Sequence, residues 1–150
     1  MKDNKYLKHN NMINAKELYP EYWKEEQENG DFYGPYDYQP IIDSLGNVLV
    51  QVDDADYQGD TRVLYESNGK YGYLVFGWGS CSGCDALQAC DNMQDIQNLI
   101  EDLQNSIKWF DTLSDLKTHF GNKDWELDWS YHVDETKDFI EKVMNYEGAV

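Results

Sequence analysis

The stretch GWGSCSGCDALQAC, residues 77–90, places Cys81, Cys84 and Cys90 within ten positions, among glycines and serines and straight after an apolar run. Thiols at Cys-x2-Cys spacing support three uses. They can chelate: zinc takes four sulfur or nitrogen donors, so Cys81, Cys84 and Cys90 with His132 or His119 would complete a Cys3His set. They can exchange electrons, because a cysteine at a helix N-terminus is readily held as thiolate. Or they can serve the fold. Gly77, Gly79 and Gly83 give the backbone freedom to turn, Ser80 or Ser82 would cap a short helix through CDALQAC, and Cys84, Leu87 and Cys90 would pack as small apolar residues. One Cys-x2-Cys pair is half of the usual zinc signature. The expectation is no cofactor, with zinc on Cys81, Cys84, Cys90 and His132 as the alternative.

The segment YLVFGWGSCSGCDAL reads as strand, turn, thiol pair and helix, an order that resembles a thioredoxin active site over about fifteen residues. That resemblance implies redox chemistry at the pair. It stops there: Pro20, Pro35 and Pro40 all precede the motif, whereas the proline that faces the thiols in thioredoxins follows it. The preceding strands also pattern as hairpins rather than as βαβ.

Other reactive residues assemble little by spacing. The histidines are His9, His119 and His132. Cys81 or Cys84 with His132 and Asp134 can be drawn as nucleophile, base and acid, but no local pattern demands it. A phosphate loop needs Gly-x4-Gly-Lys-Ser/Thr, and no Lys or Arg occurs from Tyr71 through Ile107. DDADYQGD, residues 53–60, lacks the closing Glu of an EF-hand and reads as a solvated turn. The reading leans to a protein that is not an enzyme.

Charge narrows the partners. Twelve Lys and Arg face 29 Asp and Glu, for a net charge of −17. Such a chain repels phosphate backbones and anionic lipid, so direct binding of nucleic acid or membrane is not expected. Divalent cations and proteins with a basic face remain. Between Lys24 and Arg62 lie ten acids and no positive charge. Carboxylates there interleave with tyrosines, as a surface imitating a nucleic acid would require. Carboxylates stand in for phosphates, rings supply contact area, and attraction is steered electrostatically. The candidate partner-binding residues are Glu25, Glu26, Glu28, Asp31, Tyr33, Tyr36, Asp37, Tyr38, Asp53, Asp54, Asp56 and Asp60.

The elements that must carry these residues follow from pattern. The chain, 150 residues with 41% hydrophobic content, is sized for one domain, and residues 1–13 read as frayed. Residues 14–30 read as helix, with Asn14 as cap, Pro20 starting a second turn or kinking it, and Gly30 ending it. Residues 31–40 read as a loop or edge segment. Residues 41–78 read as three or four antiparallel strands, with Asn68-Gly69 as a type I′ hairpin turn. Ile96, Leu99, Ile100, Leu103, Ile107 and Phe110 share one helical face, after an Asp91 cap with Gln94 in the capping-box position. Thr112 caps a shorter helix that buries Leu113, Leu116 and Phe120 and stops at Gly121. DWELDWSYH alternates Trp125, Leu127, Trp129 and Tyr131 as an edge strand would. Asp134 caps a last helix burying Phe139, Ile140 and Val143. The fold class is α+β: an antiparallel sheet of three to five strands with helices packed on one face.

Residues 71–146, through the cysteine loop, IKWFDTLSDLKTHF and DWELDWSYH, resemble small acidic proteins of bacteriophages and mobile elements. The resemblance implies a context, in which such proteins inhibit host defence as anti-restriction or anti-CRISPR proteins. The expectation is a non-enzymatic inhibitor of a basic nucleic-acid-binding host protein such as a defence nuclease, cytoplasmic in the bacterial host. No apolar run approaches the ~18 residues of a membrane span, and no signal-peptide core is present. The alternative is a thiol-redox or zinc protein acting through Cys81, Cys84 and Cys90.

Overall fold

The computed structural model describes residues 13–127 and 132–148. His9, Trp129 and Tyr131 lie outside them. The chain divides into two compact units, with boundaries at Leu45/Gly46, Gly79/Ser80 and Ser106/Ile107. The sheet has four antiparallel strands among the described residues, and the class is α+β as expected. No helix among the described residues is long and apolar enough to cross a membrane.

The first unit is helical. Helix α1 (Ala15–Leu18) starts where Asn14 Oδ1 accepts the Lys16 N–H at 3.0 Å. Helix α2 (Pro20–Asn29) has Pro20 in its first turn and ends at Gly30, whose φ of 84° only glycine adopts without strain. Helix α3 (Gln39–Ser44) corrects the strand expected from residue 41. Ile41 and Ile42 are adjacent and both buried, and Pro40 sits in the first turn, where its missing N–H costs nothing. Helix α4 (Met93–Ser106) buries Met93, Ile96, Ile100 and Leu103, and α1 and α2 pack on it. Gln97 joins them: its Oε1 accepts the Ala15 N–H at 2.9 Å and its Nε2 donates to the Ile13 carbonyl at 2.8 Å.

Two boundaries of α4 differ from expectation. Asn92, not Asp91, caps it, with Oδ1 accepting the Asp95 N–H at 2.9 Å. The helix also stops at Ser106. Ile107 and Phe110 keep the helical spacing, but the chain there pairs as a strand, and sheet pairing overrides the local period.

The second unit holds the sheet, in the order β1 (Asn47–Asp53), β2 (Gly59–Ser67), β3 (Lys70–Trp78) and β4 (Lys108–Phe110). Asn68 and Gly69 have φ of 52° and 81°, as a type I′ turn requires. Leu64 pairs with Tyr73 in register, so they share a face. Against that face lie Leu116 and Phe120 of α5 (Leu113–Asn122) and Phe139 and Val143 of α6 (Val133–Asn145). Thr112 caps α5 as expected, its Oγ1 accepting the Asp115 N–H at 3.0 Å. Residues 125–127 do not form the expected strand: Glu126 takes a φ of 53°, which breaks extended chain. Position 132, not Asp134, precedes the last helix, and Asp134 sits in its first turn.

Gly72 shows how tightly the sheet is packed. It pairs with Tyr65 on one side and Trp109 on the other, and an added Cβ would lie 2.6 Å from the Trp109 ring. Gly72→Ala is expected to lower stability by about 2 kcal/mol, the usual cost of overpacking a filled site. The check is a lower urea midpoint at unchanged denaturant slope.

Candidate functional site

The cysteine segment contains no helix; residues 80–90 are a succession of turns. Ser80 and Ser82 therefore cap nothing, and the thiol pair does not sit at a helix N-terminus. The serine- and glycine-rich composition favours turns over a nucleus that short. The three thiols also part company. Cys81 and Cys84 are exposed and Cys90 is buried. The Cys90 thiol donates to the Ala86 carbonyl at 3.3 Å. Burial, with Asp95, Asp85 and Asp91 nearby, pushes its pKa up to about 11. Cys84 is pulled the other way. Its Sγ accepts the Cys81 N–H at 3.1 Å, and hydrogen bonding with the Cys81 side chain, then with the Cys81 and Ser80 backbone, holds its pKa below the ordinary thiol value.

Turn and tyrosine loop are locked together by Tyr38. Its hydroxyl donates to Asp85 Oδ1 at 2.7 Å and accepts the Leu87 N–H at 3.1 Å. Asp85 Oδ2 accepts the Gln88 N–H at 3.1 Å. Burial, then this bond to Asp85, raises the Tyr38 pKa well above the ordinary phenol value. Tyr38 is thus a buried strut rather than a contact residue.

Asp54 is likewise internal. Its carboxylate lies 2.8 Å from Arg62 Nη1, with side-chain exposures of 0% and 3%, and its Oδ2 accepts the Asp60 N–H at 2.7 Å. His132 completes the cluster: Nε2 is 3.6 Å from Asp54 and Nδ1 is 3.7 Å from Glu135. Asp54, His132 and Glu135 are the three potential ligands that converge among the described residues. They fit an ion-pair network better than a metal site. Arg62 already neutralises Asp54 at 2.8 Å, which lowers the pull of that carboxylate on a further cation. His119, the other histidine considered for zinc, is bonded through Nε2 to the Tyr73 hydroxyl at 2.9 Å. Desolvation, with Lys108 and Lys123 beside it, depresses its pKa.

Most of the remaining acids are outward. In the first unit Glu25, Glu28, Asp31, Asp37 and Tyr36 are exposed, and Tyr33 is 96% exposed. Asp37 Oδ1 accepts the Gln39 N–H at 2.9 Å. Glu26 is half-buried and turns inward, where its carboxylate accepts the Met93 N–H at the start of α4. In the second unit Asp56 and Tyr57 form an exposed loop tip, Asp53 accepts the Thr61 hydroxyl at 2.8 Å, and Asp60 faces Arg62 at 3.9 Å.

Within the first unit a cleft of about 690 Å³ opens between α2 and the loop after it. Glu21, Glu25, Asp31 and Asp91 supply its charge; Tyr22, Phe32 and Tyr33 supply its walls. The Tyr22 and Phe32 rings meet edge to face at 5.3 Å. Asp91 arrives because its carbonyl accepts the Phe32 N–H at 3.1 Å. No positive residue lines it.

No family model, curated protein or solved structure matches this chain. Its chemistry is therefore read from its own geometry. Four carboxylates around aromatic walls suit a guanidinium or ammonium group, which gains both ion pairing and ring contact. Sequence spacing reached Glu25, Asp31 and Tyr33. It missed Glu21, one turn before Glu25 on α2, although the i, i+4 spacing was legible. Asp91 had no local signal, since a backbone hydrogen bond across the unit places it.

Proposed function

We propose that this chain is a non-enzymatic inhibitor that docks a basic, nucleic-acid-binding protein through the acidic, aromatic cleft of its first unit. The observation that carries the reading is the cleft itself: acidic and aromatic residues in one concavity, with no Lys or Arg in its lining. A second feature supports it. Arg62, the cation that interrupts the acidic stretch in sequence, is buried, so no exposed Lys or Arg lies between Lys24 and Lys70. The exposed charges of this stretch are then all negative, and negative charge speeds encounter with a basic face, an attraction that salt weakens. Arginines that normally grip phosphate would enter the cleft. In the phage setting that the sequence resembles, the target would be a host defence nuclease.

The test is capture from bacterial lysate at low salt, followed by titration of the captured protein against duplex DNA as competitor. A variant with Glu21→Lys, Glu25→Lys and Asp31→Lys is compared with one of equal charge carrying Glu101→Lys, Asp102→Lys and Glu141→Lys. Glu26 is left alone because it holds α4. The cleft variant is expected to lose at least about a hundredfold in affinity, the scale for several close charges at one interface; the control keeps binding, and DNA competes. Equal capture by both variants, or indifference to DNA, would sink the reading.

A further inference from the structure

The thiol pair is not absorbed by the acidic cleft, and its geometry is specific. The Cys84 N–H donates to the Cys81 carbonyl at 3.1 Å, closing a β-turn from 81 to 84. The ends of such a turn lie within about 7 Å, the Cα span that a disulfide bridges, about 4.4–6.8 Å. Both side chains are exposed. The Cys84 sulfur lies over the turn, 3.1 Å from the Cys81 amide nitrogen and 3.2 Å from its carbonyl oxygen. The Cys84 thiol donates to that carbonyl, and the Cys81 N–H aimed at the same sulfur is in place to hold the thiolate, the nucleophilic form, once the proton leaves. Gly83, between the two, has nothing within 4 Å of where a Cβ would be, so no neighbour crowds that side of the turn.

We propose that Cys81 and Cys84 form a thiol–disulfide exchange site, with Cys84 as the attacking thiolate and Cys81 as the resolving thiol. The co-reactant is a disulfide, small or on a protein. The Cys84 thiolate attacks one sulfur of that disulfide; its S–S bond breaks and one thiolate leaves. The Cys81 thiol gives its proton to solvent and attacks Cys84 Sγ in the mixed disulfide. The second thiolate leaves, and a Cys81–Cys84 disulfide remains. Two protein thiols are oxidised and one disulfide is reduced to two thiols. Cys84 rather than Cys81 attacks. The cause is local: with no helix following the pair, the donor nearest a sulfur is the Cys81 amide, and it faces Cys84. Cys90 takes no part, since its thiol is buried and bonded to Ala86.

The experiment uses the full reduced chain with 2-hydroxyethyl disulfide, a neutral probe that the protein's negative charge does not repel. Reaction is stopped with acid and read by intact mass and peptide mapping. The wild type is expected to lose two hydrogens without retaining an adduct, with the new bond mapping to Cys81 and Cys84. Cys81→Ser should accumulate one mercaptoethanol adduct on Cys84. Cys84→Ser should lose most of the early reaction, and Cys90→Ser should behave as wild type. In 6 M urea, a condition chosen to unfold the chain, the first two variants should react at equal rates, which ties the difference to the turn. Faster adduct formation in Cys84→Ser than in Cys81→Ser would overturn the assignment of the attacking thiol. A wild type that stops at the adduct, closes with Cys90 or stays inert would overturn the site. None of these outcomes depends on the cleft, so this proposal and the inhibitor reading fail separately.

Discussion

Gly34→Ala is expected to destabilise the first unit by at least about 3 kcal/mol, the upper end of overpacking costs. The added Cβ would lie 2.2 Å from the Leu87 carbonyl oxygen and 2.7 Å from that of Gln88. Both are backbone atoms and cannot rotate aside. The segment they belong to follows the thiol turn, and Gly34 belongs to the loop that carries Tyr33 and Tyr36. The substitution must therefore push apart two segments that Tyr38 and Asp85 tie together. Urea unfolding would report the loss as a lower midpoint. Thiol labelling would report it independently, because Cys90, buried and inert in the native unit, should become reactive at denaturant concentrations where the wild type stays protected. A variant with unchanged midpoint and protected Cys90 would show that the close approach of these two segments is not needed.

Asp54→Ala is expected to cost about 3–5 kcal/mol, because it removes the close partner of buried Arg62 and leaves it only the 3.9 Å contact with Asp60. The carboxylate also accepts the Asp60 N–H and faces His132. One truncation thus loosens the β1–β2 loop and removes a carboxylate from the start of α6. Removing the partner as well distinguishes the pair from its surroundings. The double variant Asp54→Ala, Arg62→Met is expected to be more stable than Asp54→Ala alone, since no uncompensated charge then remains. Additive losses in that cycle would mean that the two side chains act independently despite their 2.8 Å contact.

Local chemistry was the legible part of this fold. Asn68-Gly69, Thr112, Asn14 and Gly30 act through their own backbone or through neighbours within three residues, and each was readable in place. The apolar faces of α4, α5 and α6 were readable too, because a period of 3.6 depends on nothing distant. What failed depended on partners far along the chain. Residues 108–110 continue a helical pattern, yet they pair with β3 because the edge of β3 was open to a fourth strand. Ile41 and Ile42 have the apolar, β-branched character of a strand, yet sit in a short helix after Pro40. The alternation of Trp125 and Leu127 was real, but a positive φ at Glu126 ended any extended run.

The candidate site was legible in charge and not in geometry. Composition and spacing located the acidic, tyrosine-rich stretch. They could not separate Tyr38 and Asp54, which turn inward, from Tyr33, Tyr36, Asp31 and Asp56, which turn outward. A carboxylate is acidic in the sequence whether it faces solvent or a buried arginine, and only packing tells the two apart. The cysteines behaved similarly: three similar thiols separated into an exposed pair and a buried third once the segment folded as turns.

The burial of Arg62 gives the protein an internal gauge of its own opening. It is the single arginine in the chain, and it lies in β2 with strands hydrogen-bonded on both sides. Trypsin cuts after arginine only when it can draw the flanking residues into its active site as extended chain, which β2 permits only by leaving the sheet. Cleavage after Arg62 therefore counts excursions in which the centre of the sheet comes apart, at a rate set by the population of that open form. Lys123, exposed just past the end of α5, needs no such opening, so cuts after Lys123 and after Arg62 separate surface fraying from true unfolding in one digest.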